Sequence, residues 1–333
     1  MTLPDLNRAR IPVGISSCLL GENVRYNGGN ELNSYIDQTL GQYFEFHRFC
    51  PEMAIGLGVP RKPIRLVREK GTEKGTEKGA AQIRCIGAEE PDRDFTGALE
   101  NITHEQLSWH SFLCGYILKK GSPSCGMERV KVWVQNRMPE NVGTGIYAAT
   151  LMQNFPNLPV EEEGRLGDTQ LRENFIQRVY VMSRWKQLES MGLTIRRLVD
   201  FHARHKLIVM SHSQQRNREL GRLVAGVTKQ DLPSKSEAYI ASLMHTLKKV
   251  ATPKNHVNVL QHVQGFLKRA LDTDDKQELI QCIDAYRQGQ VPLIVPITLL
   301  NHHFRRNPNE YIANSWYMQP YFSGLGLRNQ IQG

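Results

Sequence analysis

The apolar residues of this 333-residue chain change their spacing near Asp168, and that change limits the architectures open to it. Upstream, the strand-like runs IPVGIS, YFEFHRF, PIRLVRE, LCGYILKK, VKVWV and LPVEEE alternate with the helix-like EQLSWHSF and GIYAATLMQNF. Strands that alternate with helices predict an α/β domain, Rossmann-like, with a mostly parallel sheet. Downstream, Leu171, Phe175, Val179 and Met182 recur at intervals of three and four, the stripe of an amphipathic helix. Segments beginning at Thr194, Gln214, Lys235, His256 and Thr273 repeat it, with Asp272, Thr273 and Asp274 as candidate N-caps for the last. QVPLIVP then breaks the pattern before a shorter helix, ITLLNHHFRRN. An all-α helical bundle of five or six helices follows the α/β domain. The expected limits are 1–165 for the α/β domain, 166–200 for a connecting helix and linker, and 201–333 for the helical domain.

Charge follows the same division. The net charge of +9 is almost absent from residues 1–200, whereas residues 201–333 hold 17 Lys+Arg against 9 Asp+Glu and eight of the eleven histidines. A basic back half suits a polyanionic partner, although a merely solvated basic surface is an equal reading of charge alone. No apolar run is long enough to cross a bilayer, and the first residues lack a secretory layout, so no membrane association and a cytoplasmic location are expected.

In that reducing setting the six cysteines are not expected to cross-link. No two form a C-x-x-C pair. Cys18, Cys50 and Cys125 each follow a strand-like run, in SSCLLG, FCPE and GSPSCG. Ligands of open α/β sheets bind beyond the carboxyl ends of strands, where such loops converge. Three soft thiolates there suit zinc or an iron–sulfur cluster, and spacing leaves both open. Cys85, Cys114 and Cys282 read as core packing. The repeat KGTEKGTEKG at 70–79 has no apolar residue and reads as an exposed loop.

The stretches SSCLLGENVRYNGGN, FCPE and KKGSPSCG, in that order, resemble the signatures of thiouracil desulfidase (TudS-like) domains. HKLIVMSHS, LGRLVAG, HVNVLQHVQGFLK and VPLIVPITLLNHH resemble the helical YbgA-like domain often fused behind it. The fused arrangement resembles the RudS-type tRNA 4-thiouridine desulfidases. That resemblance implies a 4Fe–4S cluster on Cys18, Cys50 and Cys125 with one iron lacking a protein ligand, and catalytic roles for Glu52 and Ser122. It also implies tRNA containing 4-thiouridine as the partner, and a non-redox, hydrolytic loss of sulfur as hydrosulfide.

Plainer roles exist for each residue. Glu52 could cap a helix, Ser122 and Ser124 could satisfy turn amides, and Arg25 and Tyr26 could form a surface turn or touch a base or phosphate. In the back half Lys206, Arg216, Arg218, Arg222, Lys248, Lys249, Lys268, Arg269, Arg305 and Arg306 are candidate RNA contacts, with His205, His212 and His302 beside them. No metal site is expected there, because no H-x-x-x-H pair has further ligands and His302 and His303 fall on different helix faces. Two other functions stay open: desulfuration of free thiobases such as thiouracil, and a non-catalytic RNA-binding protein with a zinc on the three cysteines.

Overall fold

A computed structural model describes residues 10–68, 83–134 and 137–330. The 70–79 repeat lies outside the described residues. The chain divides into two compact units, Arg10–Gly167 and a second that contains Asp168–Gly333.

The first unit carries strands β1 (Ile11–Ser16), β2 (Phe44–Phe49), β3 (Ile64–Arg68), β4 (Ile83–Gly87), β5 (Tyr116–Leu118), β6 (Val130–Val134), β7 (Glu140–Gly143) and β8 (Val160–Glu162). Its helices are α1 (Pro51–Ala54), α2 (Thr96–Glu105), α3 (Leu107–His110) and α4 (Ile146–Asn154). One sheet is wholly parallel, in the order β2-β1-β5-β8. The other, β4-β3-β6-β7, is mixed. PIRLVRE and VKVWV therefore do not join the parallel sheet. They pair with each other and with the antiparallel neighbours β4 and β7, which flank them as edges.

β1 lies between β2 and β5, so successive connections leave it on both sides. In register, Ser16 stands opposite Phe49, and Ile15 opposite both Arg48 and Ile117. Three neighbouring strands thus end level with one another, at a topological switch point. Close packing fixes them: a Cβ on Gly14 would come within 2.4 Å of the Tyr116 ring. Beneath the strand ends lies a core of Leu113, Tyr116, Leu118, Tyr147 and Leu151, to which Cys125 belongs. Two of its polar atoms are satisfied internally, as Tyr147 Oη donates to Tyr116 Oη at 2.9 Å and meets His110 Nε2 at 2.8 Å.

The second unit comprises α5 (Thr169–Ser190), α6 (Ile195–His212), α7 (Gln214–Ala225), α8 (Leu232–Leu247), α9 (Pro253–Gln264), α10 (Thr273–Arg287), α11 (Ile294–Arg306) and α12 (Glu310–Ala313). The described residues thus form eight helices rather than five or six, the last being a single turn too short to carry a stripe. Asp168, Thr194, Ser213, Thr252 and Asp272 cap α5, α6, α7, α9 and α10 through side-chain oxygens, each cap worth about 1 kcal/mol. Segment 166–200 holds α5, whose Phe175, Ile176, Val179, Trp185 and Leu188 are buried, and α5 groups with the helical unit. Trp185, Phe201 and Tyr239 pack ring to ring in its core. No helix of the described residues is long and apolar enough to cross a membrane.

Candidate active site

Cys18 lies in the turn after β1, Cys50 directly follows β2, and Cys125 lies in the loop after β5. A cavity of about 200 Å³ at these strand ends is lined by all three, together with Arg25, Tyr26, Glu52, Arg61, Lys119 and Ser122. The opening loop returns to the site because Glu31 N donates to Cys18 O at 2.9 Å and Asn33 N to Leu19 O at 3.0 Å. The bend between needs Gly28 at φ +79°, where Gly28 N closes on Arg25 O at 2.9 Å. Arg25 pairs with Glu31 at the base of this loop.

The GSPSCG turn is held from three directions. Ser122 Oγ accepts the amides of Ser124 at 3.2 Å and Cys125 at 3.1 Å, so the plain turn-forming role of Ser122 is present. The first amides of α4 bind its carbonyls, Ile146 N to Pro123 O at 3.1 Å and Ala148 N to Ser124 O at 3.1 Å. Gly145 lets α4 approach that closely, since a Cβ there would lie 2.4 Å from Ser124 O. On the far side, Glu162 Oε1 accepts Met127 N at 2.8 Å.

Burial is the main reason all three thiols titrate high: Cys18 is pushed up to about 11, and Cys50 and Cys125 are also raised. Donors nevertheless point at the sulfurs. The amides of Met53 and Glu52 serve Cys50, the hydroxyls of Ser16 and Ser124 serve Cys125, and the charges of Lys119 and Arg25 lie near Cys18. Hydrogen bonds and cations around buried sulfurs favour thiolates, the form that binds metal. Ligands of one zinc stand about 3.8 Å apart, from a Zn–S bond of about 2.3 Å. Among the described residues only Asp275, Glu278 and His303 bring three ligand atoms within 4.8 Å of one another, so the three thiols spread wider than that. Three thiols with hydrogen-bond donors around them at the strand ends are a soft donor set that suits an iron–sulfur cluster.

Glu52 lies in the first turn of α1, with Pro51 setting the turn and Cys50 at its N-cap. Its carboxylate is fully engaged. Arg61 Nη2 and Nε approach Oε2 at 2.6 and 3.1 Å, and Ser124 Oγ donates to Oε1 at 2.5 Å. Ser122 Oγ is 3.4 Å from Oε1 and 2.9 Å from Ser124 Oγ. Arg61 is itself steadied by Gly58 O at 2.8 Å. Sequence patterns did not point to Arg61, which sits in a loop nine residues beyond Glu52. The run Glu161, Glu162 and Glu163 was equally silent. Yet Glu163 pairs with Lys119 and accepts Lys120 N at 2.8 Å, which holds an ammonium at the cavity wall. The three other cysteines stay apart: Cys85 is fully buried against Leu66, Leu99 and Val132, Cys114 is buried, and Cys282 lies on α10.

In the helical unit all ten candidate RNA contacts, Lys206, Arg216, Arg218, Arg222, Lys248, Lys249, Lys268, Arg269, Arg305 and Arg306, are exposed. Their expected imidazole companions differ. His302 is exposed, but His205 is buried and stacked on Phe201, and His212 is bound to Lys249 O and Gln177 Oε1. Helix-face spacing alone did not reveal that these two point inward.

Comparison with known proteins agrees with this division. Residues 13–163 match the family described as 2-thiouracil desulfurase, and residues 206–321 match a protein family of unknown function, DUF1722. The uncharacterized protein YbgA of Escherichia coli (strain K12) is 32% identical over 46% of this chain and 90% of its own length. The uncharacterized protein YbbK of Bacillus subtilis (strain 168) is 30% identical over 34% of this chain and 71% of its own. A solved structure of the 4Fe–4S-dependent thiouracil desulfidase TudS aligns with 51% of this chain and all of its own, at 26% identity and a TM-score of 0.37. With a cysteine-lined cavity in the region of the first match and a helical unit in that of the second, the chain belongs to the 2-thiouracil desulfurase family through its front part and to the YbgA-like DUF1722 family through its back part.

Proposed function

We propose that this protein removes sulfur from 4-thiouridine in tRNA, releasing uridine and hydrosulfide. The observation that carries the reading is the convergence of Cys18, Cys50 and Cys125 with Glu52 on one cavity. Cys18, Cys50 and Cys125 would hold a 4Fe–4S cluster, which would supply a Lewis acid for a thiocarbonyl sulfur.

The remaining chemistry belongs to the chain. The cavity is lined by the three thiols and by Glu52 and Ser122, so a thiobase entering it meets both the sulfurs and the carboxylate. Exposed Tyr26 offers a ring face at its mouth, and Arg25 and Lys119 offer positive charge for a phosphate or for the departing sulfide. Water adds its oxygen to the thiocarbonyl carbon, the C–S bond breaks, and hydrosulfide and one proton leave. No electron is gained or lost. Glu52 takes the proton from the attacking water, with Arg61 and Ser124 fixing its two oxygens. Ser122, beside Glu52 with its Oγ 3.4 Å from Oε1, hydrogen-bonds the base or the water.

The back unit supports the choice of tRNA. Its exposed lysines and arginines, with a net charge of +8 over residues 201–333, suit a folded RNA read mainly through phosphates. A base within folded tRNA must leave its stack to enter such a cavity, at a cost that RNA binding offsets.

Anaerobic purification, iron and sulfide analysis, and incubation with thiolated tRNA test this. Brown protein with about four irons per chain that bleaches thiouridine absorbance is the expected result. Activity on free thiouracil but none on tRNA would replace the substrate. Colourless, zinc-containing and inactive protein would overturn the reading altogether.

A further inference from the structure

The geometry points to a second metal site, independent of the cysteine cavity, between α10 and α11: Asp275, Glu278 and His303 are placed to bind one divalent first-row transition-metal ion. A carboxylate oxygen of Asp275, one of Glu278 and a ring nitrogen of His303 all lie within 4.8 Å of one another. Asp275 and Glu278 are three residues apart on α10, so they project from one face. His303 comes from the last turn of α11.

Two observations raise this above a chance acidic pair. His303 is 3% exposed, and its Nε2 is buried without a hydrogen-bond partner. A buried imidazole nitrogen left unpaired is unfavourable, and a cation bound at it would satisfy it. Second, no lysine or arginine among the described residues forms an ion pair with either carboxylate. The helical spacing of His302 and His303 gave no hint of a site because the carboxylates come from another helix. That His303 faces them is a matter of how α10 and α11 pack.

The donor set selects the ion. Imidazole disfavours Mg²⁺ and Ca²⁺, and the absence of thiolate from the set distinguishes it from the front site. Two carboxylates and one imidazole neutralise a dication and leave further positions to water. Binding would clamp α10 to α11.

Co²⁺ is a suitable probe, titrated into the chelator-treated full-length protein and into Asp275→Asn/Glu278→Gln. The front thiols are common to both, so the difference isolates the helical site. Wild type is expected to take up one more Co²⁺, or to hold it at least about tenfold more tightly, and that added ion lacks the thiolate charge-transfer band. His303→Gln should reproduce the loss. If that buried substitution unfolds the chain, the carboxylate pair, half-buried Asp275 and exposed Glu278, decides alone. Equal Co²⁺ number and affinity in wild type and the double variant would overturn the assignment.

Discussion

Ser124 Oγ lies 2.5 Å from Glu52 Oε1, across 72 residues of sequence. The same serine hydroxyl is 3.7 Å from Cys125 Sγ. One buried hydroxyl therefore touches both the carboxylate proposed as base and a sulfur proposed as ligand. Placement of base and placement of metal are coupled through a single turn.

Removal of that coupling should be graded. Glu52→Gln keeps the shape but loses the base, and thiouridine turnover should fall about 10²–10⁴-fold with iron retained. Ser124→Ala removes one charge-assisted bond and should cost about 10–100-fold in kcat. Arg61→Ala leaves a poorly solvated carboxylate unpaired and should also destabilise the front unit, by up to about 3–5 kcal/mol, in denaturant titration.

The cysteines should separate into two classes. Alanine at Cys18, Cys50 or Cys125 should each lower bound iron by about tenfold or more. Cys85→Ala should leave iron content unchanged and cost about 1 kcal/mol of stability, because Cys85 fills a core position. Iron analysis of the four purified variants checks both.

Gly145→Ala should disable the site without touching a reactive group. Its new methyl would meet Ser124 O at 2.4 Å and Cys125 N at 2.9 Å, and backbone cannot yield as a side chain can. Lower iron content and activity are expected. Gly97→Ala on α2 is the control: a Cβ there meets nothing within 4 Å, so stability should rise by about 0.5–1 kcal/mol.

Mild acid should weaken both units. Burial depresses His110 in the front unit to about 4, and burial with the charge of Lys206 depresses His202 in the back unit to about 4. Burial also holds His205 and His256 well below 6.5. Below pH 6.5 the unfolded chain takes up these protons and the folded chain does not, so stability present above 6.5 is lost as pH falls toward 4. Each histidine contributes up to about 1.4 kcal/mol per pH unit across that window. Urea unfolding midpoints at pH 7, 6 and 5 should fall in order.

Binding of tRNA should be strongly salt-dependent. If Arg305 and Arg306 contact phosphates, Arg305→Ala and Arg306→Ala should each reduce the slope of log K against log salt by about one. An unchanged slope in both would remove them from the interface.

The sequence by itself determined the alternation of strands and helices in front, the helical stripes behind, one helix cap and the three cysteines that follow strands, because each is a local matter of spacing and turn chemistry. Asp272 illustrates it: a short acidic side chain ahead of an amphipathic run caps α10 by accepting Asp275 N at 2.8 Å. The placing of Cys18, Cys50 and Cys125 in loops needed no more than the Gly, Pro and Ser around them. Only the tertiary structure decided that β3 and β6 leave the parallel sheet, that Arg61 and Ser124 hold Glu52, that Gly145 presses α4 onto the cysteine turn, and that His205 faces inward while His303 meets two carboxylates. Those relationships join residues far apart in the chain. Strand order and helix packing set them, and the energy that selects an order is summed over a whole core, so no short stretch of sequence carries its signature.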